Sequence, residues 1–183
     1  FQIENDKVKI GKSPSVSTGI GNIAIGDDAQ ATGNYAVALG FQTRANIASA
    51  TALGKSCVAS GNISVAIGTS CTASGSLSAC VGNTSTASGA NSFALGTGAT
   101  ATGTRSLSIG NATNESGTTD SIAIGSLSTN LTNITTAISI GKSASCKTLN
   151  GIAIGNTALV NTNSADGIAI GRISKAQAIN AIA

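Results

Sequence analysis

Few residues of this sequence are of types that could carry covalent, redox or metal chemistry. They are four cysteines, Cys57, Cys71, Cys80 and Cys146, and one adjacent carboxylate pair, Asp27 and Asp28. A thiol acts as nucleophile or metal ligand when a base, a cation or further ligands stand beside it. There is no Cys-x-x-Cys spacing and no histidine, so no metal site is expected. With seven carboxylates spread over 183 residues, an acid–base pair or a serine triad has almost nothing to recruit. Catalysis is therefore the least supported class, and no catalytic residue and no cofactor is assigned. Asp27 and Asp28 would alternate direction at the start of a turn, and they read as solvated residues rather than as metal ligands.

The elements that would position these residues are written as a repeat. Residues 62–75 read NISVAIGTSCTASG, 76–89 read SLSACVGNTSTASG and 90–103 read ANSFALGTGATATG. The most regular glycine falls at Gly11, Gly26, Gly40, Gly54, Gly68, Gly82, Gly96, Gly110, Gly125, Gly141, Gly155 and Gly171, with a spacing of fourteen and occasional longer steps. Ile, Leu or Val precedes each of them, and a second mostly apolar residue stands two earlier, as in Val65-Ala66-Ile67. Such period-two alternation marks a strand. Both of its faces lack large polar groups, which is expected where both are covered. The Ile/Leu/Val row is expected to fill the chain's own core. The small row, Ala24, Ala38, Ala52, Ala66, Cys80, Ala94, Ala123, Ala153 and Ala169, is expected to meet another copy of the same surface. After the glycine comes a second short strand, Gly-x-x-Ala-x-Ala-x-Gly. Its Ala or Cys positions point inward, while Gln30, Arg44, Thr72, Thr86 and Thr100 point outward.

Fourteen residues thus make one flattened coil of two strands and two turns. A lone coil cannot bury its apolar face, so about twelve coils are expected to stack at about 4.8 Å, giving a rod of roughly 55 Å. Four aromatic residues in the whole chain, Phe1, Tyr35, Phe41 and Phe93, agree with a narrow core. Insertions near Glu115, at 131–134 and at 161–165 are expected to bulge at turns. Residues 1–12 carry five of the seventeen charges and read as an N-terminal cap or junction. Repeats fill 8–171, and 172–183 read as a C-terminal cap or the start of a neck or stalk.

The net charge of +3 is scattered, and 56–104 contain no charged residue, so no patch is expected to hold nucleic acid. Apolar runs are far below the roughly 20 residues that span a bilayer, so this segment is not expected to insert into a membrane. Methionine is absent, which suits a processed or excised piece and leaves room for an anchor outside it. The four cysteines occupy small-residue positions and read as buried, alanine-like thiols. The sharper alternative is a disulfide between Cys57 and Cys71, one coil apart. Six Asn-x-Ser/Thr sequons, at Asn62, Asn83, Asn111, Asn114, Asn130 and Asn133, matter only on a eukaryotic secretory route. The outward pairs Thr72 and Ser74, Thr86 and Ser88, and Thr100 and Thr102 resemble the flat face of ice-binding solenoids, interrupted by Val58 and by Asn114 with Glu115. Ice binding is kept as a remote alternative.

The phrases NISVAIGTSCTASG, ANSFALGTGATATG and DSIAIGSLS resemble the head repeat of trimeric autotransporter adhesins, the YadA-like head, over roughly residues 8–171. The resemblance implies an all-β, left-handed parallel β-roll whose chains pack side by side as a homotrimer. It further implies attachment to host extracellular matrix such as collagen, or to a cell-surface receptor, from an extracellular, cell-surface or virion-surface position. The residues resembling the family's ligand-contacting stretch are Asn62, Ser64, Val65, Ala66, Ile67, Gly68 and Ser70. Similar repeats resemble parts of phage and large-virus fibres, so a structural spacer or filament subunit is the alternative function.

Overall fold

In the computed structural model, residues 2–4, 7–16 and 19–183 are described. Phe1, Asn5, Asp6, Ser17 and Thr18 lie outside the described residues, and part of the charged opening falls there. The chain is an all-β parallel solenoid of about twelve coils, divided into two compact units, Phe1–Asn91 and Ser92–Ala183. Among the described residues there is no helix, and so none long and apolar enough to cross a membrane.

In the first unit, β1 (Gln2–Glu4) pairs antiparallel with β2 (Lys7–Ile10), and from β2 onward every pairing is parallel. The strands Ile23–Ile25, Val37–Phe41, Thr51–Lys55, Val65–Thr69 and Ala79–Asn83 follow in one sheet. Their register places Ala66 between Ala52 and Cys80, and Ile67 between Leu53 and Val81. A second sheet runs from Ser15–Val16 to Thr86–Ala87 and aligns Thr72 with Val58 and Thr86. The second unit repeats the plan. Its first sheet runs from Phe93–Thr97 to Ile168–Ile170 and its second from Thr100–Ala101 to Lys175–Ala176.

The expected inside and outside of the first sheet are exchanged. Ala24, Ala38, Ala52, Ala66, Cys80, Ala94, Ala123, Ala153 and Ala169 are each 0% exposed and face the chain's own interior, not another copy. The Ile/Leu/Val row faces out and is half-buried, with Ile10, Leu95 and Ile170 open enough to count as exposed. The physical reason is the width of a two-strand coil. The inward positions of the second strand, such as Ala59, Ala73 and Ala87, are also fully buried, and two sheets this close leave room mostly for small side chains. The second strand itself follows expectation, with Thr72, Thr86 and Thr100 pointing outward and their neighbours inward.

Glycine solves the stacking problem at the turns. Gly68 has φ +128, and a Cβ there would stand 1.9 Å from the Gly82 carbonyl oxygen. Gly61 does not adopt a positive φ, yet its Cβ would stand 1.9 Å from the Gly75 oxygen, so backbone approach alone excludes a side chain. The positive φ of that second turn falls instead on Tyr35, Ser49, Ile63, Leu77 and Asn91. Their amides donate to the coil before, as Ile63 N does to Ala48 O at 3.1 Å and Leu77 N to Asn62 O at 2.8 Å. These ladder bonds hold a left-handed conformation that costs about 1–2 kcal/mol for a residue with a side chain.

The longer steps of the second unit do more than bulge. Ile134 is 6% exposed and joins Ala137, Ala144, Cys146, Ala153 and Val160 in one buried cluster. Ser164 is buried and its hydroxyl donates to Ala176 O.

Candidate functional site

The residues with chemical potential are placed in the interior. All four cysteines are free and buried. The Cys57–Cys71 disulfide is therefore not formed. Three of the thiols lie against backbone acceptors: Cys57 Sγ is 3.1 Å from Gly68 O, Cys71 Sγ is 3.0 Å from Gly82 O and 3.1 Å from Ile67 O, and Cys146 Sγ is 3.4 Å from Thr148 O. Cys80 approaches Cys71 from the opposing strand, so Cys57, Cys71 and Cys80 form a run of neighbouring thiols. Burial pushes the Cys57, Cys80 and Cys146 thiols up from their ordinary value, which keeps them protonated and unreactive. Among the described residues no three of His, Cys, Asp and Glu gather where they could hold a metal ion.

The second unit holds a buried polar chain that the repeat pattern did not reveal. Asn114 and Asn130 are 0% exposed, so neither sequon can accept a glycan in the folded chain. Asn130 Nδ2 donates to Asn114 Oδ1 at 2.7 Å and to Ile122 O at 2.8 Å. Asn114 Nδ2 donates to Ser108 Oγ at 3.0 Å, and Ser139 Oγ donates to Asn130 Oδ1 at 2.7 Å. The signal was present. Ser108 replaces alanine in the first strand of the coil of Asn114, and Ser139 does so in the first strand of the coil that follows Asn130. A buried amide needs partners, and the two substitutions supply one another. Because Asn114 points inward, Thr113 is the outward residue there, in register with Thr100 and Thr129. The sequon residues Asn62, Asn83, Asn111 and Asn133 are exposed.

The stretch resembling a ligand-contacting segment is split by the fold. Ser64 and Ala66 are 0% exposed, Val65 and Ile67 stand half-buried on the outward face of the first sheet, Gly68 turns the chain, and Asn62 and Ser70 are exposed at the two turns. What remains as functional surface is therefore not a pocket but two faces.

The first face is the outward side of the first sheet. In the first unit it presents Ile23, Val37 and Val65 beside Ile25, Leu39, Leu53, Ile67 and Val81. In the second unit it presents Leu107, Ile122, Ile138, Ile152 and Ile168 beside Ile109, Ile124, Ile140, Ile154 and Ile170. The interior is already filled by alanine, serine and cysteine, so these branched side chains have no core of their own to enter.

The second face is the outward side of the second sheet, which is nearly uncharged in its middle. Thr72 and Thr86 stack in register, and Ser74 and Ser88 are exposed beside them. Arg44 and Lys175 stand on its strands, and an ion pair sits at the turns of the second unit. Arg105 makes two bonds to Asp120, at 2.5 and 2.8 Å, and the guanidinium holds the Asp120 carboxyl below its ordinary value while Asp120 raises that of Arg105. Both side chains are exposed.

Comparison with known proteins follows this geometry. A family model described as the YadA head domain repeat matches residues 17–43, 48–71, 73–99 and 87–113, which together make half of the chain. No curated protein sequence matches. Among solved structures, the crystal structure of the collagen-binding domain of the Yersinia adhesin YadA is similar, with 21% identity and a TM-score of 0.47 over 98% of this chain and 80% of that one. The repeat phase, the glycines that let coils touch and the small residues that fill the interior now each have a packing reason, and the chain belongs to the YadA head domain repeat family.

Proposed function

We propose that this chain is the non-enzymatic head segment of a surface adhesin or fibre, which acts as a homotrimer and binds host matrix or cell-surface receptors by many weak contacts. The observation that carries the proposal is the row of Ile, Leu and Val outside an interior already full of alanine. Three copies packed on those rows cover them from water, at about 25 cal/mol for each Å² of apolar surface removed. That leaves the second sheet and the turns as the presented surface, on a cell or a virion. Its outward residues recur every ~4.8 Å, once per coil and three times around the trimer. A feeble contact with a fibrous or densely displayed ligand then gains from high effective concentration.

The experiment compares the trimer with an Ile67→Glu variant on immobilised collagen, other matrix proteins and cell-surface glycans. The new carboxylate lies on the outward face, so the chain stays folded, but a buried unpaired charge prevents assembly. Expected are firm attachment by the trimer and at least ~10²-fold weaker attachment by the variant. Light scattering that finds a monomer at micromolar concentration for the unaltered chain refutes the trimer. Silence toward every ligand refutes the adhesin reading in favour of a spacer.

A further inference from the structure

The outward face of the first sheet is flanked by two rims that differ in kind. On the leading rim of the first unit stand Tyr35, Ile63 and Leu77, which are 61%, 50% and 53% exposed. Tyr35 lies over Gly21 of the coil before, which anchors its ring in the column. On the trailing rim, one residue past Gly40 at the end of the strand Val37–Phe41, Phe41 is 46% exposed. The coil of Tyr35 is therefore also the coil of Phe41. Tyr35 stands at the turn before the five-residue strand that Phe41 ends, six residue steps or at most about 20 Å of extended chain away, and the intervening strand keeps the two rings apart within one chain.

The second unit repeats this logic with charge. Asp166 stands on the leading rim and Arg172 on the trailing rim of one coil, both exposed. Asp166 Oδ1 accepts a bond from Asn150 Nδ2 at 2.8 Å, and its other oxygen is open. Arg172 has no side-chain partner among the described residues. In each unit, then, opposite rims of a single coil carry matching chemistry that the chain cannot join to itself.

A ring of identical chains is a heterologous assembly, in which the leading rim of one copy meets the trailing rim of the next. We propose that Tyr35 of one copy packs against Phe41 of the next, and Asp166 of one copy pairs with Arg172 of the next. This rests on the homotrimer proposed above and adds what sets the chains level. Sliding one chain by a single coil removes both matches, since it brings Asn156 rather than Arg172 opposite Asp166. The apolar rows alone permit such slippage, because each coil presents nearly the same face as its neighbour.

Cross-linking tests the contact. In a Tyr35→Cys/Phe41→Cys variant treated with diamide, a disulfide within one chain is out of reach, and the native thiols are buried. Expected on a non-reducing denaturing gel is a covalent trimer from the double variant and monomer from either single variant. A double variant that is trimeric by light scattering yet runs as monomer overturns the rim contact and leaves the trimer intact. A monomer by light scattering overturns the trimer itself. Charge exchange supplies the second measurement, with both sites exposed and so tolerant of substitution. Asp166→Arg and Arg172→Asp should each lower the temperature at which the trimer dissociates at low salt, and the double exchange should restore most of that loss. Losses that merely add overturn the pairing.

Discussion

A cysteine in this roll takes the place of an alanine, and its chemistry is set by that exchange. The thiols of Cys57, Cys80 and Cys146 sit above their ordinary value of 9.0 chiefly because burial disfavours the thiolate. Native protein at pH 8 should therefore react with iodoacetamide on the order of 10²-fold more slowly than unfolded protein, as only opening of the coil exposes sulfur. Fast labelling of the native chain refutes this. The pH dependence has a definite sign. Below the unfolded value both states are protonated and the contribution is complete. As pH rises past 9.0, the unfolded chain loses thiol protons first, so stability falls between pH 9 and the raised folded values. Melting at pH 8 and pH 10 should show a drop that shrinks in the Cys57→Ala/Cys80→Ala/Cys146→Ala variant. An unchanged drop refutes the thiol assignment.

At the scale of the coil, glycine and alanine are the residues under tightest constraint. Gly68→Ala places a methyl against the Gly82 carbonyl at a backbone angle alien to side chains, and should cost more than ~2 kcal/mol in denaturant unfolding. Ala66→Leu should do comparable harm by overfilling the interior, whereas Ile67→Leu should be nearly silent in the isolated chain. The coil itself was legible in the spacing of glycine, and the second strand's faces in its Ala-x-Ala rhythm. Which face of the first strand turns inward was not. Period two separates the faces without saying which is inside, and the preference for burying large residues pointed the wrong way. The deciding clue was the second strand, whose inward row is as small as Ala66 and must oppose a row of matching size. The buried Asn114 and Asn130 escaped notice because their function lies in a pairing with Ser108 and Ser139 across the interior, which a reading along the chain does not display.

For the whole molecule, the informative feature is the strict register of the first unit, where Thr51 aligns with Val65 and Val65 with Ala79, and Val58 with Thr72 and Thr72 with Thr86. Each coil meets the next through the same backbone bonds and the same two glycine contacts. Removing residues 62–75 joins Gly61 to Ser76 and lets one coil rest on what had been its second neighbour. That deletion should leave a folded head with a melting temperature within a few degrees of the original, because each coil's stability comes from itself and its nearest contacts. Removing only 62–68 should abolish folding, since it deletes one strand and exchanges the two sheets for everything downstream. Equal outcomes from the two deletions refute the argument. A gene that writes its protein this way tolerates the gain or loss of whole repeats by unequal recombination, and an exchange that breaks the phase is eliminated as a misfolded product. Head length thereby becomes an inherited quantity that varies in steps of one coil, open to selection without any new packing having to be invented.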